Sequence, residues 1–183
     1  MNPPKEKNMR LFFAFWPNDA ERAAMAAWQP PLRELCGGRV MRTDTLHATL
    51  VFVGEVAEHR LQALQLAAQE VNCRRFELIL TTVHYWGHNH IAYAAPEAIQ
   101  PQLAELVHEL ERNLRKHHFH FDVRPYKPHV TLLRNAQWSD AHLPAMPSVH
   151  WQFNDFVLVQ SKQDEQGAQY EVLARFPMLP ANA

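Results

Sequence analysis

Two segments of the same pattern, Leu46-His47-Ala48-Thr49-Leu50 and Pro128-His129-Val130-Thr131-Leu132, stand about eighty residues apart. A β-strand turns residues i and i+2 to one face, so each histidine shares a face with its threonine. The chain has 12 histidines, and only these two are followed by threonine two positions on. Other landmarks repeat at the same spacing of about eighty: Phe76 with Phe156, Leu11 with Ile91, and Ile91 with Tyr170. A chain repeating in this way is expected to fold as two related β-α-β-β units. The fold class that follows is α+β and bilobal, with the units related by a pseudo-twofold axis. Their antiparallel sheets face each other across a central cleft, with the helices outside. Residues 1–8 read as a flexible leader and 9–183 as a single bilobal domain.

The local signals agree with this plan. Leu11 to Phe15 is a short aromatic-rich run closed by Pro17, which predicts a buried strand. Asn18 followed by Glu21 has the spacing of a capping box, and it predicts a helix that Pro30-Pro31 stops. Gly37-Gly38 marks a turn, Arg39 to Asp44 a short strand or extended connector, and Leu46 to Val53 a strand ending at Gly54. Leu61, Leu64, Ala68 and Val71 recur at helical spacing within Glu58 to Val71. Phe76 to Val83 reads as a strand, His84 to His90 as a hairpin region, and Ile91 to Ala95 as the return strand. A second, stronger helical stripe begins near Pro101, with Leu103, Leu106, Val107, Leu110 and Leu114 on one face. Pro125 and Pro128 forbid a helix before His129 and predict an extended approach to the strand His129 to Arg134. A proline-rich loop, Leu143 to Pro147, precedes a closing hairpin of Phe153 to Gln160 and Tyr170 to Phe176.

Composition narrows the function. A net charge of −1 gives no broad footprint for long nucleic acid, so an anionic ligand must be held by a local cluster. Cys36 and Cys73 lack the spacing of a zinc or redox motif and read as free thiols. No apolar run suits a signal-peptide core or a membrane helix, and the expected location is the cytoplasm, with no membrane contact. Phosphate-cradling loops of the GxxxxGK[ST] kind and GxSxG elbows are both absent, so neither ATP dependence nor serine-hydrolase chemistry is indicated.

A histidine on an apolar strand most often hydrogen-bonds into the core. Two in matching context point instead to one shared device. Imidazole, with an ordinary pKa of about 6.5, can serve as base in one copy and acid in the other. The accompanying threonine hydroxyls suit anionic oxygens. That set fits phosphodiester chemistry without a metal or other cofactor. The remaining histidine clusters, His84, His88 and His90 or His117, His118 and His120, have no cysteine or carboxylate at supporting spacing and do not suggest a metal site.

The segments Leu11-Phe12-Phe13-Ala14-Phe15-Trp16-Pro17, Leu46 to Val56 and Arg124 to Arg134 closely resemble the bacterial and archaeal RNA 2′,3′-cyclic phosphodiesterases, also called 2′-5′ RNA ligases. These belong to the two-histidine phosphoesterase superfamily, and the likeness runs on to Leu158-Val159-Gln160-Ser161-Lys162 and Tyr170. The resemblance implies a bilobal fold with its site in the cleft and hydrolysis of a terminal 2′,3′-cyclic phosphate to a 2′-phosphate. It also implies reversible 2′-5′ joining of RNA ends without ATP. By it, His47 and His129 are acid and base, and Thr49 and Thr131 bind phosphate. Arg134 matches as a phosphate-binding cation, although simple strand parity with His129 turns it away. Phe52 stands where the first motif would have its equivalent. Tyr126 and Phe52 are the candidates for stacking on a nucleobase. The expected partners are RNA ends or small cyclic-phosphate nucleotides, with the protein a monomer needing no protein partner. Other readings are a phosphodiesterase acting on another 2′-linked or cyclic nucleotide, and a non-catalytic module that binds RNA ends.

Overall fold

The structure, a computed structural model, describes residues 6–138, 142–143 and 145–182. Residues 1–5 of the expected leader and Pro144 of the expected proline-rich loop lie outside the described residues. In chain order the strands are β1 (Asn8–Phe15), β2 (Arg39–Val40), β3 (Ala48–Ala57), β4 (Glu77–Leu80), β5 (Thr82–Trp86), β6 (Ile91–Ala95), β7 (Val130–Arg134), β8 (Val149–Gln152), β9 (Asp155–Asp164) and β10 (Gly167–Pro177). The helices are α1 (Asp19–Ala26), α2 (Gln29–Cys36), α3 (Leu61–Gln69) and α4 (Pro101–Lys116).

Two antiparallel four-stranded sheets carry the fold, in the orders β10-β9-β1-β3 and β2-β7-β6-β5, and β4 pairs with β8 in a separate ribbon. The run β3-β1-β9 of the first sheet has its counterpart in β7-β6-β5 of the second. In each, the strand after a motif histidine lies beside the strand that opens its half of the chain. Both opening strands are apolar on two faces, which is why they read as continuous hydrophobic runs. Leu11, Phe13 and Phe15 of β1 enter the main core, while Phe12 and Ala14 join a small cluster with Val157, Val159 and the edges of Trp16, Phe52 and Tyr170. Ala92 and Ala94 of β6 likewise face the main core, and Ile91, Tyr93 and Ala95 gather against Trp86.

The helices form where the sequence caps them. Asn18 accepts from the Glu21 backbone at 2.8 Å, and the Glu21 carboxylate answers the Asn18 N–H at 3.2 Å, a complete capping box. The helix does not run on to Pro30-Pro31: α1 ends at Ala26 with its cap at Ala27, and the two prolines lie in the first turn of α2, where no N–H donors are needed. The apolar stripe of α4 is buried as expected, and Asn113 on that buried side donates to the Ala67 carbonyl of α3 at 3.2 Å. The expected strand Phe76 to Val83 is two strands: the chain changes partners at Thr81, whose N–H bonds to Ala95 at 3.0 Å. Asn8, assigned to the leader, is the first residue of β1, and the Lys7 carbonyl accepts from Glu58 N–H at 2.9 Å.

The feature that positions the site is an extra residue in each motif strand. Along β1–β3 the pairing passes from Phe13↔Val51 to Ala14↔Thr49, leaving Leu50 unmatched. Along β6–β7 it passes from Ala92↔Leu133 to Tyr93↔Thr131, leaving Leu132 unmatched. Such a bulge breaks the period-two alternation. Leu50 and Val51 both turn into the core, as do Leu132 and Leu133. The residue after each pair, Phe52 or Arg134, returns to the face of the histidine and threonine. A further shift leaves Val53 unmatched and carries β3 past Gly54, at φ +87°, to Ala57 rather than stopping it there.

Gln29 secures the bulge in β7. Its buried amide donates to Leu132 O at 3.1 Å and to Met41 O at 2.9 Å, joining the bulge to the segment after β2. Gly38 allows β2 to approach, since a Cβ there would stand 2.7 Å from Arg134 O. Gln29→Leu removes the amide, so Met41 O loses this donor and Leu132 O keeps only the Met41 N–H, at 3.0 Å. The expected loss is about 1–3 kcal/mol of unfolding free energy, read by urea denaturation at pH 7; an unchanged midpoint would show that the bulge does not depend on Gln29.

Candidate active site

His47 sits immediately before β3 and His129 immediately before β7, and both are mounted in the same way. His47 Nδ1 lies 2.7 Å from Thr45 O, and His129 Nδ1 lies 2.8 Å from Lys127 O, in each case the carbonyl two residues back. A carbonyl can only accept, so Nδ1 is the protonated nitrogen and each neutral ring presents a bare Nε2. The Thr49 hydroxyl, 3.2 Å from His47 Nε2, is placed to donate to it. A short 3-10 turn, Thr43–Thr45, aims the carbonyl that holds His47, with Thr45 Oγ1 bonded to Arg42 O at 2.7 Å.

Aromatic rings fix the imidazole planes. His47 stacks on Trp16 at 5.5 Å and meets Phe12 at 5.1 Å and Tyr170 at 5.3 Å. His129 meets Trp86 at 4.7 Å and Tyr93 at 5.6 Å, both edge-on. The buried Arg22 guanidinium also lies 4.7 Å from the Trp16 ring and donates from Nε to Leu46 O at 3.1 Å. This enclosure disfavours the imidazolium ions. Burial lowers the His47 pKa to about 4; the Thr45 carbonyl bond opposes the shift, and His129, Arg22 and Arg134 add to it. His129 is also held below its ordinary value by burial, partly offset by the Lys127 carbonyl, with Arg134 again lowering it.

Both rings open onto one cavity of about 200 Å³. Thr49, Thr131, Phe52 and Arg134 line it with the two histidines, so six of the seven residues singled out from sequence meet there. Strand parity argued that Arg134 faces away; the extra residue Leu132 reverses that parity. Phe52 is brought in by the matching bulge at Leu50. Tyr126 is the exception. It is not among the lining residues, packs at the edge of the main core, and donates its hydroxyl to Thr49 O at 3.2 Å. Lying three residues before His129, it braces the first motif strand through that hydroxyl and does not line the cavity.

Several site residues carried no recognised signal. Arg10 lines the cavity, lies 4.9 Å from the Phe52 ring and is the register partner of Ser161, another lining residue. The cavity therefore has a cation on each side, Arg10 from the first sheet and Arg134 from the second, where the sequence suggested one. Phe12 and Tyr170 also line it. For Phe12 the signal is the unbroken apolar run of β1, since a strand without polar alternation has two covered faces, and one of them here is the site; Tyr170 stands on β10, in the closing hairpin to which the family resemblance extends.

The comparisons with known proteins agree with the geometry. The profile of the LigT like phosphoesterase family matches twice in succession, over residues 15–93 and 94–170. The RNA 2′,3′-cyclic phosphodiesterase of Escherichia coli K12 is 28% identical over 92% of this chain and 96% of its own length. That of Thermus thermophilus is 30% identical over 93% of this chain and 90% of its own. The crystal structure of E. coli LigT complexed with 3′-AMP superposes with a TM-score of 0.82 at 26% identity, covering 94% of this chain and 99% of that one. Each of the two matched spans contains one His-x-Thr strand, and the two strands meet at a single cavity: the chain is a member of the LigT-like phosphoesterase family.

Proposed function

We propose that this chain hydrolyses the 2′,3′-cyclic phosphate at an RNA end to a 2′-phosphate, with His47 and His129 as a metal-free acid–base pair. The observation that carries the reading is the matched mounting of two imidazoles, each with Nδ1 engaged by a carbonyl, on one cavity flanked by arginines. The named activity of the E. coli and T. thermophilus relatives supports the substrate, as does the nucleotide in the E. coli structure.

In this reading one neutral imidazole takes a proton at Nε2 from water as the water oxygen attacks phosphorus. The other, as imidazolium, gives its Nε2 proton to the 3′ oxygen as the P–O3′ bond breaks. The phosphate stays on the 2′ oxygen, the two histidines end with exchanged protonation, and solvent restores them. As the phosphate enters, the Thr49 hydroxyl turns from His47 Nε2 and, with Thr131, donates to the non-bridging oxygens, and Arg134 and Arg10 neutralise the charge they carry. Phe52 offers an apolar face to the sugar or base. If the 5′-hydroxyl of a second RNA attacks in place of water, the same groups join the two ends by a 2′-5′ linkage without ATP. The protein acts as one bilobal domain opening with β1 at Asn8, monomeric and cytoplasmic, without cofactor or partner protein.

Two outcomes are expected. With EDTA present, RNA ending in a 2′,3′-cyclic phosphate yields a 2′-phosphate, and His47→Ala and His129→Ala each lower kcat by about 10²–10⁴-fold. A 3′-phosphate product, or an active single mutant, would sink the reading. In NMR titration of the free protein, His47 protonates near pH 4 and His129 below 6.5. Because the unfolded chain takes up these protons first, stability falls as pH is lowered from about 6.5 towards 4. The melting temperature of His47→Asn declines less steeply over that range; an equal decline would remove His47 as the cause.

A further inference from the structure

A second and larger hollow, about 530 Å³, opens beside the histidine cavity and shares Arg10, Arg134, Ser161 and Tyr170 with it. One wall is β2 with its continuation, bearing Arg39 and Arg42; the other is the β9–β10 hairpin, bearing Gln163 and Gln166. Four arginines therefore line it, and among the described residues no carboxylate does. In a chain of net charge −1 this is a local positive field, not a sample of the general surface.

The arrangement is costly as it stands. Arg39 and Arg134 are direct partners across the β2–β7 pair, a position in which like charges destabilise a sheet. Among the described residues no acidic side chain forms an ion pair with Arg10, Arg39 or Arg134. Arg42 alone has a carboxylate, the exposed Asp44 at 3.3 Å, and its guanidinium also reaches Gln169 Oε1 at 3.3 Å. Gly167, at φ +105°, supplies the left-handed backbone that turns the hairpin wall at this point. An anion between the facing arginines would remove the repulsion, and the hollow leads directly to the place proposed for the terminal phosphate.

Resting on the function proposed above, we infer that this hollow is a subsite for the RNA strand on the 5′ side of the cyclic phosphate. It takes the first upstream phosphodiesters between Arg39, Arg42 and Arg134. Arginine forks suit phosphate oxygens, and the amides of Gln163 and Gln166 with the Ser161 hydroxyl suit ribose hydroxyls. Among the described residues the one aromatic ring in its lining is Tyr170, at the junction with the inner cavity. The outer hollow thus reads backbone and tolerates any base. The preferred substrate is an oligonucleotide end, not a cyclic mononucleotide.

The test compares a 2′,3′-cyclic mononucleotide with a trinucleotide ending in the same group. In the natural chain the trinucleotide has the higher kcat/KM by about tenfold or more, the worth of one charge-assisted contact. Its log KM is steeper in log[salt] by about 0.7 for each additional phosphate held. In Arg39→Gln/Arg42→Gln the ratio of the two kcat/KM values falls towards one, and the extra salt slope disappears. Equal kcat/KM for both substrates in the natural chain, or an unchanged ratio in the double variant, overturns the subsite. Turnover of neither substrate overturns the proposed function instead. The subsite is then judged by fluorescence anisotropy of a labelled trinucleotide ending in a 2′-phosphate: binding weakened about tenfold in the double variant upholds it, and equal binding overturns it.

Discussion

An unmatched leucine in each of two strands decides what this fold can present to a ligand. Without Leu50 and Leu132, period-two alternation would send the residue five places after each motif histidine to the opposite face of its sheet. With them, a histidine, a threonine and a third side chain line one side of a strand while two consecutive apolar residues anchor the other side in the core. The bulge thus solves a packing problem and a chemical one at once. In β7 it is held by Gln29 and by the close approach that Gly38 permits, so the second sheet is tied to α2 and β2 at the point where Arg134 leaves the strand.

Around that device the site is arranged by dehydration as much as by charge. Each imidazole gives one nitrogen to a fixed carbonyl and most of its surface to aromatic rings, which leaves a single unprotonated nitrogen facing the cavity. The same enclosure that depresses both pKa values makes the rings responsive to an anion. A phosphate arriving between them and the arginines favours the imidazolium form that burial alone disfavours. Arg22, against the Trp16 ring, adds a buried positive charge to that balance without lining the cavity.

The motifs and their duplication were legible in the chain because they depend on local periodicity and on residue identity. His47, Thr49, His129 and Thr131 could be paired by counting, and α4 by its stripe. Less legible was anything set by register between strands. Period-two parity turns Arg134 away from His129, and only the interstrand shift at Leu132 brings it back; Tyr126 stands beside a motif in sequence, yet its hydroxyl bonds Thr49 O of the other sheet. The run Phe76 to Val83 has neither glycine nor proline, so nothing in it announces that the chain leaves one sheet for another at Thr81. Arg10 and Arg39 gave no signal because their significance lies in the strands opposite them.

The two halves of the chain do not correspond to the two sheets. β9 and β10, from the second half, complete the sheet of β1 and β3, while β2 and β5, from the first half, complete the sheet of β6 and β7; β4 and β8 pair across the divide. Each half therefore holds only part of each sheet, with strand edges that its partner half must cover. Each half is thus complete as a sequence repeat but not in its hydrogen bonding. Having both halves on one chain lets each cover the other's strand edges within one molecule, through long-range pairings of the kind that slow folding.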